Sequence, residues 1–278
     1  MGLQASAAPS PSARVTIDHV RVEYPSADGA ESLVAIADVG FTIEPGEFVS
    51  IIGPSGCGKS SLLYIINGIS KPTSGSILVN GTAVTKPSAQ RALVFQDAGL
   101  LPWNSILTNV ALGLQIKNVP KPEREKQAAA LLKLVGLDGF ASKLPHQLSG
   151  GMRQRAGIDR ALCVDPEILL MDEPFGALDA QTRQLMGAEL LRIWRQSGKT
   201  IVFVTHDLDE AVYLADRVIV MSARPSRVLD EVRIDLPRPR PLDIVNSAEF
   251  RVKRERIWRL LEAEVTAAWA ASEAAGDA

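Results

Sequence analysis

A glycine-rich segment that ends in a lysine and a serine carries the clearest chemistry in this sequence. It reads Gly53-Pro54-Ser55-Gly56-Cys57-Gly58-Lys59-Ser60. The segment lies between an apolar run, 48–52, and a helical pattern that begins near Lys59. The glycines let backbone N–H groups turn inward around phosphate oxygens, and the helix N-terminus adds partial positive charge. Lys59 would then reach the β- and γ-phosphates of a nucleotide, and the Ser60 hydroxyl would coordinate Mg²⁺.

Two carboxylates follow a second apolar run further along the chain. Residues 168–171 are Ile, Leu, Leu and Met, and Asp172 and Glu173 come directly after them. Open α/β sheets bind ligands at the carboxyl ends of their central strands, so both carboxylates are expected at the nucleotide. Asp172 would hold Mg²⁺ through water, and Glu173 would polarise the attacking water as general base. An apolar run before Asp-Glu is common by itself, so this interpretation depends on the phosphate loop.

The elements that must position these groups alternate between strand and helix. Apolar and polar residues alternate over 14–24, and 33–43 is also strand-like, which predicts antiparallel strands at the N-terminus. Helical patterns occupy 102–163, and strands alternate with helices after that. This layout predicts an α/β fold: a P-loop NTPase (RecA-like) core with an N-terminal antiparallel β subdomain and an inserted α-helical subdomain at about 99–163.

The two ends of the chain differ in composition from the middle. Residues 1–13 are rich in Ala, Ser and Pro, which predicts a flexible tail before a domain over 14–235. Residues 236–278 begin with alternate prolines, as in a linker, and continue as a helix. Ile257, Leu261 and Val265 form an apolar stripe on that helix after a basic group. The helix either packs on the domain as a cap or serves as a regulatory or membrane-proximal arm.

Composition narrows the classes of function. Thirty basic residues against thirty-two acidic ones give a net charge of −2, so no nucleic-acid partner is expected. The apolar runs are far shorter than the ~20 residues of a membrane helix. Two cysteines without metal-ligand spacing fit a reducing compartment. If the protein serves a membrane, it is expected to bind to the surface of the bilayer on its cytoplasmic face, without spanning it.

A third motif separates this chain from other phosphate-loop proteins. Leu148-Ser149-Gly150-Gly151 lies between the loop and the Asp-Glu pair, and with these motifs the chain resembles the nucleotide-binding subunit of an ABC transporter over roughly 14–235. The resemblance implies that Ser149 and Gly151, at a helix N-terminus, contact the γ-phosphate bound by the other subunit of a homodimer. Met152 stands where the family usually has Gln, which leaves this mainly backbone contact intact.

The remaining family positions match one by one. Tyr24 resembles the aromatic residue that stacks on adenine, Gln96 the glutamine that touches Mg²⁺ and water, and His206 the histidine that contacts the γ-phosphate. Asp179 resembles the aspartate of the loop that crosses the dimer interface. For ATP, the resemblance implies binding by Tyr24, Gly53, Pro54, Ser55, Gly56, Cys57, Gly58, Lys59, Ser60, Ser61, Ser149, Gly150, Gly151 and Asp179. It implies catalysis by Lys59, Gln96, Glu173 and His206, and Mg²⁺ binding by Ser60, Gln96 and Asp172.

Several shorter segments resemble the importers of nitrate, aliphatic sulfonates and taurine. They are Leu100 to Trp103, Leu148 to Arg155, Phe203 to Ala211, Met221 to Pro225 and Ile234 to Arg240. The resemblance implies a separate membrane permease, docked near Leu100–Trp103, and indirectly an external solute-binding protein. A core position for Trp103 is the alternative. Asp159, where that group commonly has a small residue, is expected to face solvent.

Two other classes of function are open to a chain with these motifs: a soluble ABC ATPase of DNA repair or translation, and a catalytically dead regulatory subunit. A soluble ABC ATPase of DNA repair would carry long coiled coils between the phosphate loop and the signature, whereas Lys59 and Ser149 are only 90 residues apart. A translation-type member would carry two nucleotide domains in one chain. A catalytically dead regulatory subunit would lack Glu173 or His206, and both are present.

Overall fold

A computed structural model describes residues 12–25 and 32–276, with the backbone alone at 265 and 267–276. Its strands are β1 Val15–Tyr24, β2 Leu33–Ile43, β3 Phe48–Ile52, β4 Ser74–Val79, β5 Thr82–Ala83, β6 Arg91–Val94, β7 Ile168–Asp172, β8 Thr200–Val204, β9 Arg217–Met221 and β10 Ser226–Arg233. Its α-helices are α1 Lys59–Asn67, α2 Ile106–Val110, α3 Leu112–Ile116, α4 Lys121–Leu134, α5 Gly150–Leu162, α6 Ala180–Ser197, α7 Leu208–Leu214 and α8 Ala248–Gly276. Short 3₁₀ helices cover Asp138–Phe140, Pro145–Gln147 and Leu242–Asn246.

One sheet runs through the described part of the chain in the order β5-β4-β1-β2-β10-β9-β3-β8-β7-β6. Its second half is built on parallel neighbours from β9 to β6, and every residue of β3, β7 and β8 is buried, as continuous apolar runs predict. The first half is the predicted antiparallel unit of β1, β2, β4 and β5. The α/β fold of the P-loop type is confirmed.

Strand β10 joins the two halves and was not predicted. It pairs antiparallel with β9 and parallel with β2, so the antiparallel unit is continuous with the core sheet. Its burial pattern has only Ser226 and Val232 fully covered, and its sequence, Ser-Arg-Val-Leu-Asp-Glu-Val-Arg, shows no sustained alternation. The usual strand signal of period two is therefore absent.

The four central parallel strands bring the predicted motifs to one edge of the sheet. Strand β3 pairs with β8 on one side and with β9 on the other, and β7 lies beside β8, all running in the same direction. The phosphate loop follows β3, His206 follows β8, and a turn at 222–225 follows β9. Asp172 ends β7, and Glu173 comes directly after it. Motifs far apart in sequence therefore meet at the edge where such sheets bind ligands.

The helical insertion has its own apolar core. Helices α2 to α5 bury a separate cluster whose members include Ile106, Val110, Leu132, Leu148 and Ala156. Ile106 and Val110 lie four residues apart on one face of α2, and their cluster is separate from the apolar clusters that pack on the sheet. Within the described residues, no helix is long and apolar enough to cross a membrane.

The predicted flexible tail, 1–13, mostly lies outside the described residues, but its last residue does not behave as a tail. Ala13 is fully buried, and its carbonyl accepts a hydrogen bond from the Thr200 hydroxyl over 2.7 Å. Residues 1–11 are among those that the structure does not describe. The contact places the start of the ordered domain at or before Ala13.

The proline segment after β10 is not a free linker. The buried Arg240 guanidinium donates to the carbonyl oxygens of Val212, Tyr213 and Ala215 at 2.8–3.2 Å, at the end of α7. These carbonyls lack partners within the helix, and a cation there is favoured by the helix dipole. Burial lowers the pKa of Arg240 to about 10. The segment is therefore fastened to the domain.

Helix α8 packs against the same domain. Phe250, Ile257 and Leu261 join the core cluster that also contains β3 and β8 side chains. Three of the basic residues that precede the apolar stripe are paired with acids of the domain: Lys253 with Asp235, Arg254 with Asp209 and Arg256 with Asp230. These contacts support the capping role over a detached arm.

The prediction that Asp159 faces solvent was wrong. Asp159 is 1% exposed on α5, and neither carboxylate oxygen has a hydrogen-bond partner among the described residues. Burial, with a smaller contribution from Glu189, raises the pKa of Asp159 to about 8. The helical period placed this side chain on the buried face of α5, because Ala156 and Cys163 on either side are also buried.

Replacing Asp159 by alanine is expected to stabilise the fold, and increasingly so as pH rises. The ordinary carboxyl pKa is 3.8 and the folded one about 8, so the folded state holds the proton over that range and stability falls as pH rises through it. Asp159→Ala removes this loss and should add about 2–4 kcal/mol near pH 8 and little near pH 4. Urea unfolding at several pH values measures this. Asp243→Ala, at an exposed position, is the control, and equal profiles for the two variants would contradict the assignment.

Candidate nucleotide site

The phosphate loop leaves β3 and turns into α1. Gly58 has φ of 99°, and a Cβ there would lie 2.8 Å from Ile36 Cγ1, so only glycine fits. Lys59 is 6% exposed, and its ammonium donates to the carbonyl oxygens of Gly53 over 2.8 Å and Pro54 over 3.0 Å. A phosphate would offer this ammonium stronger, charged acceptors. The lysine is therefore held at the loop where a phosphate is expected.

Ser60 and Asp172 meet at the base of the loop. The Ser60 hydroxyl donates to one oxygen of the Asp172 carboxylate over 2.9 Å, and the Tyr64 hydroxyl donates to the other over 3.1 Å. Burial raises the pKa of the Asp172 carboxyl, and the two hydrogen bonds oppose that shift. A hydroxyl and a carboxylate at this separation are the hard oxygen donors that Mg²⁺ prefers. The pair fits a magnesium site. Tyr64 was missed from the sequence because it lies on α1 four residues beyond the phosphate-loop motif.

Glu173 and His206 are brought together from neighbouring strands. Nδ1 of His206 lies 2.9 Å from Oε2 of Glu173, and since a carboxylate only accepts, that nitrogen carries the proton. Glu173 adopts a φ of 44°, in the left-handed region that non-glycine residues rarely occupy. Such conformations cost free energy and persist where surrounding structure enforces them, most often at functional sites. The pair faces the phosphate loop, since Glu173 lines the same cleft as Lys59.

The cleft itself is open and has a volume of about 250 Å³. The Tyr24 hydroxyl is hydrogen-bonded to Ser61 Oγ over 2.8 Å, and the ring is 47% exposed, so one face is free to stack on a base. The cleft is lined by Tyr24, Leu33, Ala35, Ser55, Gly56, Gly58, Lys59, Ser60, Ser61, Glu173 and Arg224. Arg224 had no predicted role, although the sequence around it was part of the importer resemblance.

Gln96 lies near Glu173 and is not in direct contact with Ser60 or Asp172 among the described residues. The amide nitrogen of Gln96 is 3.5 Å from the point where a Cβ on Gly176 would lie, and Glu173 Oε2 is 3.9 Å from the same point. Among the described contacts, none joins Gln96 to Ser60 or Asp172. The structure therefore brings Gln96 to Glu173, and its predicted place as an Mg²⁺ ligand stays a prediction.

The signature motif begins helix α5. Ser149 is the N-cap residue, and its hydroxyl accepts from Met152 N over 3.3 Å. A Cβ on Gly151 would lie 2.9 Å from Thr182 Cγ2, so the signature is pressed against the start of α6. Asp179 caps α6, and hydrogen bonds from Thr182 lower the pKa of its exposed carboxyl. The signature and the Asp179 loop thus form one surface, and neither lines the cleft of this chain.

A charged network behind the site was not predicted. Arg183 on α6 bridges Asp207 over 2.8 Å and Glu210 over 3.4 Å, both on the segment that follows His206. The Thr205 hydroxyl donates to Glu210 over 2.6 Å, and burial raises the pKa of Glu210 to about 7. The network links the loop carrying Asp179 to the loop carrying His206. Ion pairs between residues this far apart in sequence leave no periodic pattern from which they could be predicted.

A parallel sheet with a phosphate loop, a facing Asp-Glu pair and a capped signature helix defines an ATPase of the cassette type. The sequence profile of the ABC transporter family matches residues 36–176, about half of the chain. The chain belongs to the ABC transporter family and is an ATPase. The resemblance predicted from the motifs is confirmed, while the roles of the single residues stay predictions.

Relatives and solved structures agree with this assignment. The taurine import ATP-binding protein TauB of Pseudomonas putida is 45% identical over 223 residues, which cover 80% of this chain and 84% of TauB. The nitrate import ATP-binding protein NrtC of Synechocystis is 43% identical over 244 residues, 86% of this chain and 36% of NrtC. An ATP-binding cassette solved as a post-hydrolysis dimer with ADP and Pi is 35% identical, with a TM-score of 0.71 over 80% of this chain and all of that one.

Proposed function

We propose that this protein is the ATP-binding subunit of an importer for a small anionic solute such as taurine, an aliphatic sulfonate or nitrate. The observation that carries the proposal is the identity of 42–45% to proteins named for taurine and nitrate import, spread over at least 80% of the chain. The chain would act peripherally, on the cytoplasmic face of the membrane, and pass the energy of ATP hydrolysis to a separate permease.

ATP binding is assigned to the cleft between β1 and the phosphate loop. Adenine would stack on the exposed face of Tyr24, and the triphosphate would lie along the loop toward Lys59. The Lys59 ammonium would exchange the carbonyls of Gly53 and Pro54 for phosphate oxygens. Mg²⁺, held by Ser60 and Asp172, would neutralise charge on the β- and γ-phosphates.

Hydrolysis is assigned to the Glu173–His206 pair. The carboxylate of Glu173 lines the cleft and would take a proton from the attacking water. The hydrogen bond from His206 fixes the orientation of that carboxylate over 2.9 Å, and the second ring nitrogen of His206 is free to meet the γ-phosphate. Gln96, beside the same carboxylate, is placed to sense whether water and γ-phosphate are present.

A dimer would complete each site. Ser149 and Gly151 present a helix N-terminus, which favours anions, on a surface that does not line their own cleft. A cassette of the same family is known as a dimer with ADP and Pi. In the proposed assembly, the signature of one subunit covers the γ-phosphate on its partner, and Asp179 lies at the shared interface.

The docking site for the permease is assigned to the loop 100–103. Trp103 is 72% exposed, so it is not a core residue, and Pro102 beside it is exposed as well. The loop is nevertheless held in shape, because buried Asn109 accepts from Leu101 N over 2.7 Å and donates to Leu101 O over 3.1 Å. A rigid loop that presents a large apolar side chain to solvent is typical of a binding site for another protein.

Hydrogen bonds connect the segment just before this loop to the signature helix α5. Gln154 on α5 donates to the carbonyl of Phe95 over 3.3 Å, and Arg160 on α5 donates to the carbonyls of Ala98 and Gly99, each over 2.7 Å. The segment from Gln96 to the docking loop would therefore move with α5 when ATP draws the signature of one subunit onto the other. ATP-driven closure would reach the permease by this route.

Replacing Trp103 by alanine is expected to uncouple transport and leave the isolated subunit intact. The side chain is mostly in solvent, so the melting temperature should change by less than about 2 °C and ATP affinity should not change. Binding to the permease or solute uptake should fall at least ~10-fold. Trp258→Ala, at an exposed tryptophan on α8, is the control. A several-degree loss of melting temperature with uptake retained would contradict the docking role.

Uptake by cells tests the importer proposal as a whole. Cells that lack this protein should lose uptake of labelled taurine, nitrate or an alkanesulfonate, and the wild-type chain should restore it, whereas a Glu173→Gln chain should not. Retention of all three uptake activities in the deletion strain would contradict the proposed solute class. That outcome would not bear on ATP hydrolysis by the purified chain. The ATPase activity and the class of imported solute are therefore tested separately.

A further inference from the structure

Arg224 lies against the phosphate loop and makes neither a hydrogen bond nor an ion pair with any described residue. The turn at 222–225 leaves β9, and β9 pairs in parallel with β3, whose end starts the phosphate loop. The guanidinium lies against Gly56: a Cβ on Gly56 would be 3.2 Å from Nη2, 3.6 Å from Cζ and 3.8 Å from Nε. Gly56 has φ of 74°, and a side chain there would displace the arginine.

The charges lining the cleft come from three side chains: Lys59, Arg224 and Glu173. The Lys59 ammonium is already bound by loop carbonyls, and the Glu173 carboxylate by His206. Within the described residues, the Arg224 guanidinium has neither an ion pair nor a hydrogen bond. An arginine presents five donors in a plane that matches phosphate oxygens, and here all of them are available.

The turn that carries Arg224 is anchored to helix α8. The Glu264 carboxylate accepts a hydrogen bond from Ala223 N over 2.8 Å, one residue before the arginine. The Ser222 hydroxyl also accepts from Arg227 N over 3.0 Å, which closes the turn. Because the backbone on the near side of Arg224 is fixed from α8, the C-terminal helix has a direct contact with the rim of the nucleotide site.

We infer that Arg224 binds the phosphate chain of ATP as a second cation beside Lys59, and that Glu264 positions the turn that presents it. This inference rests on ATP occupying the cleft, as proposed above. It gives α8 a part in nucleotide binding that its packing on the core does not explain. Arginine is suited to the task because its charge persists at any physiological pH and its donors pair with two oxygens at once.

Binding measurements with full-length variants test the role of Arg224. Arg224→Gln should weaken the affinity for Mg-ATP and for ADP about 10-fold at low salt, with a smaller loss at 0.5 M NaCl because the contact is exposed and screened. Arg224→Lys should recover part of the affinity. Arg227→Gln removes the same charge from the same hairpin but outside the cleft, and should bind as wild type does. Equal affinities for Arg224→Gln and Arg227→Gln would overturn the inference.

A double-mutant cycle tests the role of Glu264. Glu264→Ala should weaken ATP affinity about 3-fold in the wild-type background and not at all in the Arg224→Gln background, because it acts only through the arginine. Glu264→Gln keeps an acceptor for Ala223 N and should bind as wild type does. Additive losses would show that Glu264 acts independently of Arg224. Failure of the wild-type chain to bind ATP at all would instead contradict the proposed function.

Discussion

A Glu173→Gln chain is expected to bind Mg-ATP with wild-type affinity and to hydrolyse it at least ~100-fold more slowly, the size of effect typical for loss of a general base. Glutamine keeps the shape of the side chain and can still interact with His206, but its amide cannot take a proton from water. Lys59, Ser60 and Asp172 are untouched, so the groups assigned to hold the nucleotide and metal remain. The ATP-bound dimer should therefore accumulate.

Glu167→Gln is the matched control for this experiment. Glu167 precedes β7, whose opposite end leads to Glu173, and its carboxylate accepts from Gln90 over 2.8 Å, away from the cleft. The same chemical change at this position should leave turnover unchanged. Phosphate release and size-exclusion chromatography with ATP measure the two effects. Near-normal turnover by Glu173→Gln would show that another group activates the water.

Two inactive chains are expected to restore activity when mixed, if each site is shared between subunits. Lys59→Ala disables the phosphate loop, and Ser149→Arg obstructs the signature. In a heterodimer, the intact phosphate loop and Glu173 of one chain would meet the intact signature of the other. Random pairing would then return up to about a quarter of wild-type activity, from one complete site in half of the dimers.

The control mixture combines two variants that disable the same half of the site, the half that contains the phosphate loop and Glu173. Lys59→Ala with Glu173→Gln leaves no complete site in any dimer, because the phosphate loop and Glu173 line one cleft of one chain. This mixture should remain inactive. Ser149→Arg also removes a helix cap, which is typically worth ~1 kcal/mol, so its folding is checked by thermal denaturation. Restoration by both mixtures, or by neither, would argue against the shared site.

The motifs and the strands that carry them could be predicted because their signals are local. The phosphate loop, the Asp-Glu pair and the buried strands around them are contiguous in sequence and have fixed backbone requirements. In the structure, Lys59, Ser60 and Glu173 accordingly line one cleft, and Asp172 is hydrogen-bonded to Ser60 at its base.

The parts that could not be predicted depend on pairings between distant residues. Strand β10 shows no alternation of apolar and polar residues, and its pairing with β2 joins parts of the chain that are far apart in sequence. Arg240 lies in a stretch that has the composition of a linker, and only the folded backbone brings helix-end carbonyls to it. Arg224 reaches the cleft because β9 and β3 are adjacent in the sheet, an order that their sequences do not encode locally.

The prediction that Asp159 faces solvent was wrong for a different reason. The prediction followed the general rule that a charged residue on a helix is exposed. The helical spacing contradicts that rule here, because it places Asp159 between the buried positions 156 and 163. The family position commonly takes a small side chain, which fits a buried site. The spacing was the better guide, because the face of a helix is set by the neighbours that pack on it.

In the proposed mechanism, this chain hydrolyses ATP as a pair of copies whose sites are completed across an interface. The ATPase rate per chain, measured across a range of protein concentrations alongside sedimentation in the same buffer, tests this claim most directly. We expect the rate per chain to rise with concentration and to follow the dimer fraction in the presence of ATP. A rate per chain that stays constant while the protein sediments as a monomer would contradict the claim.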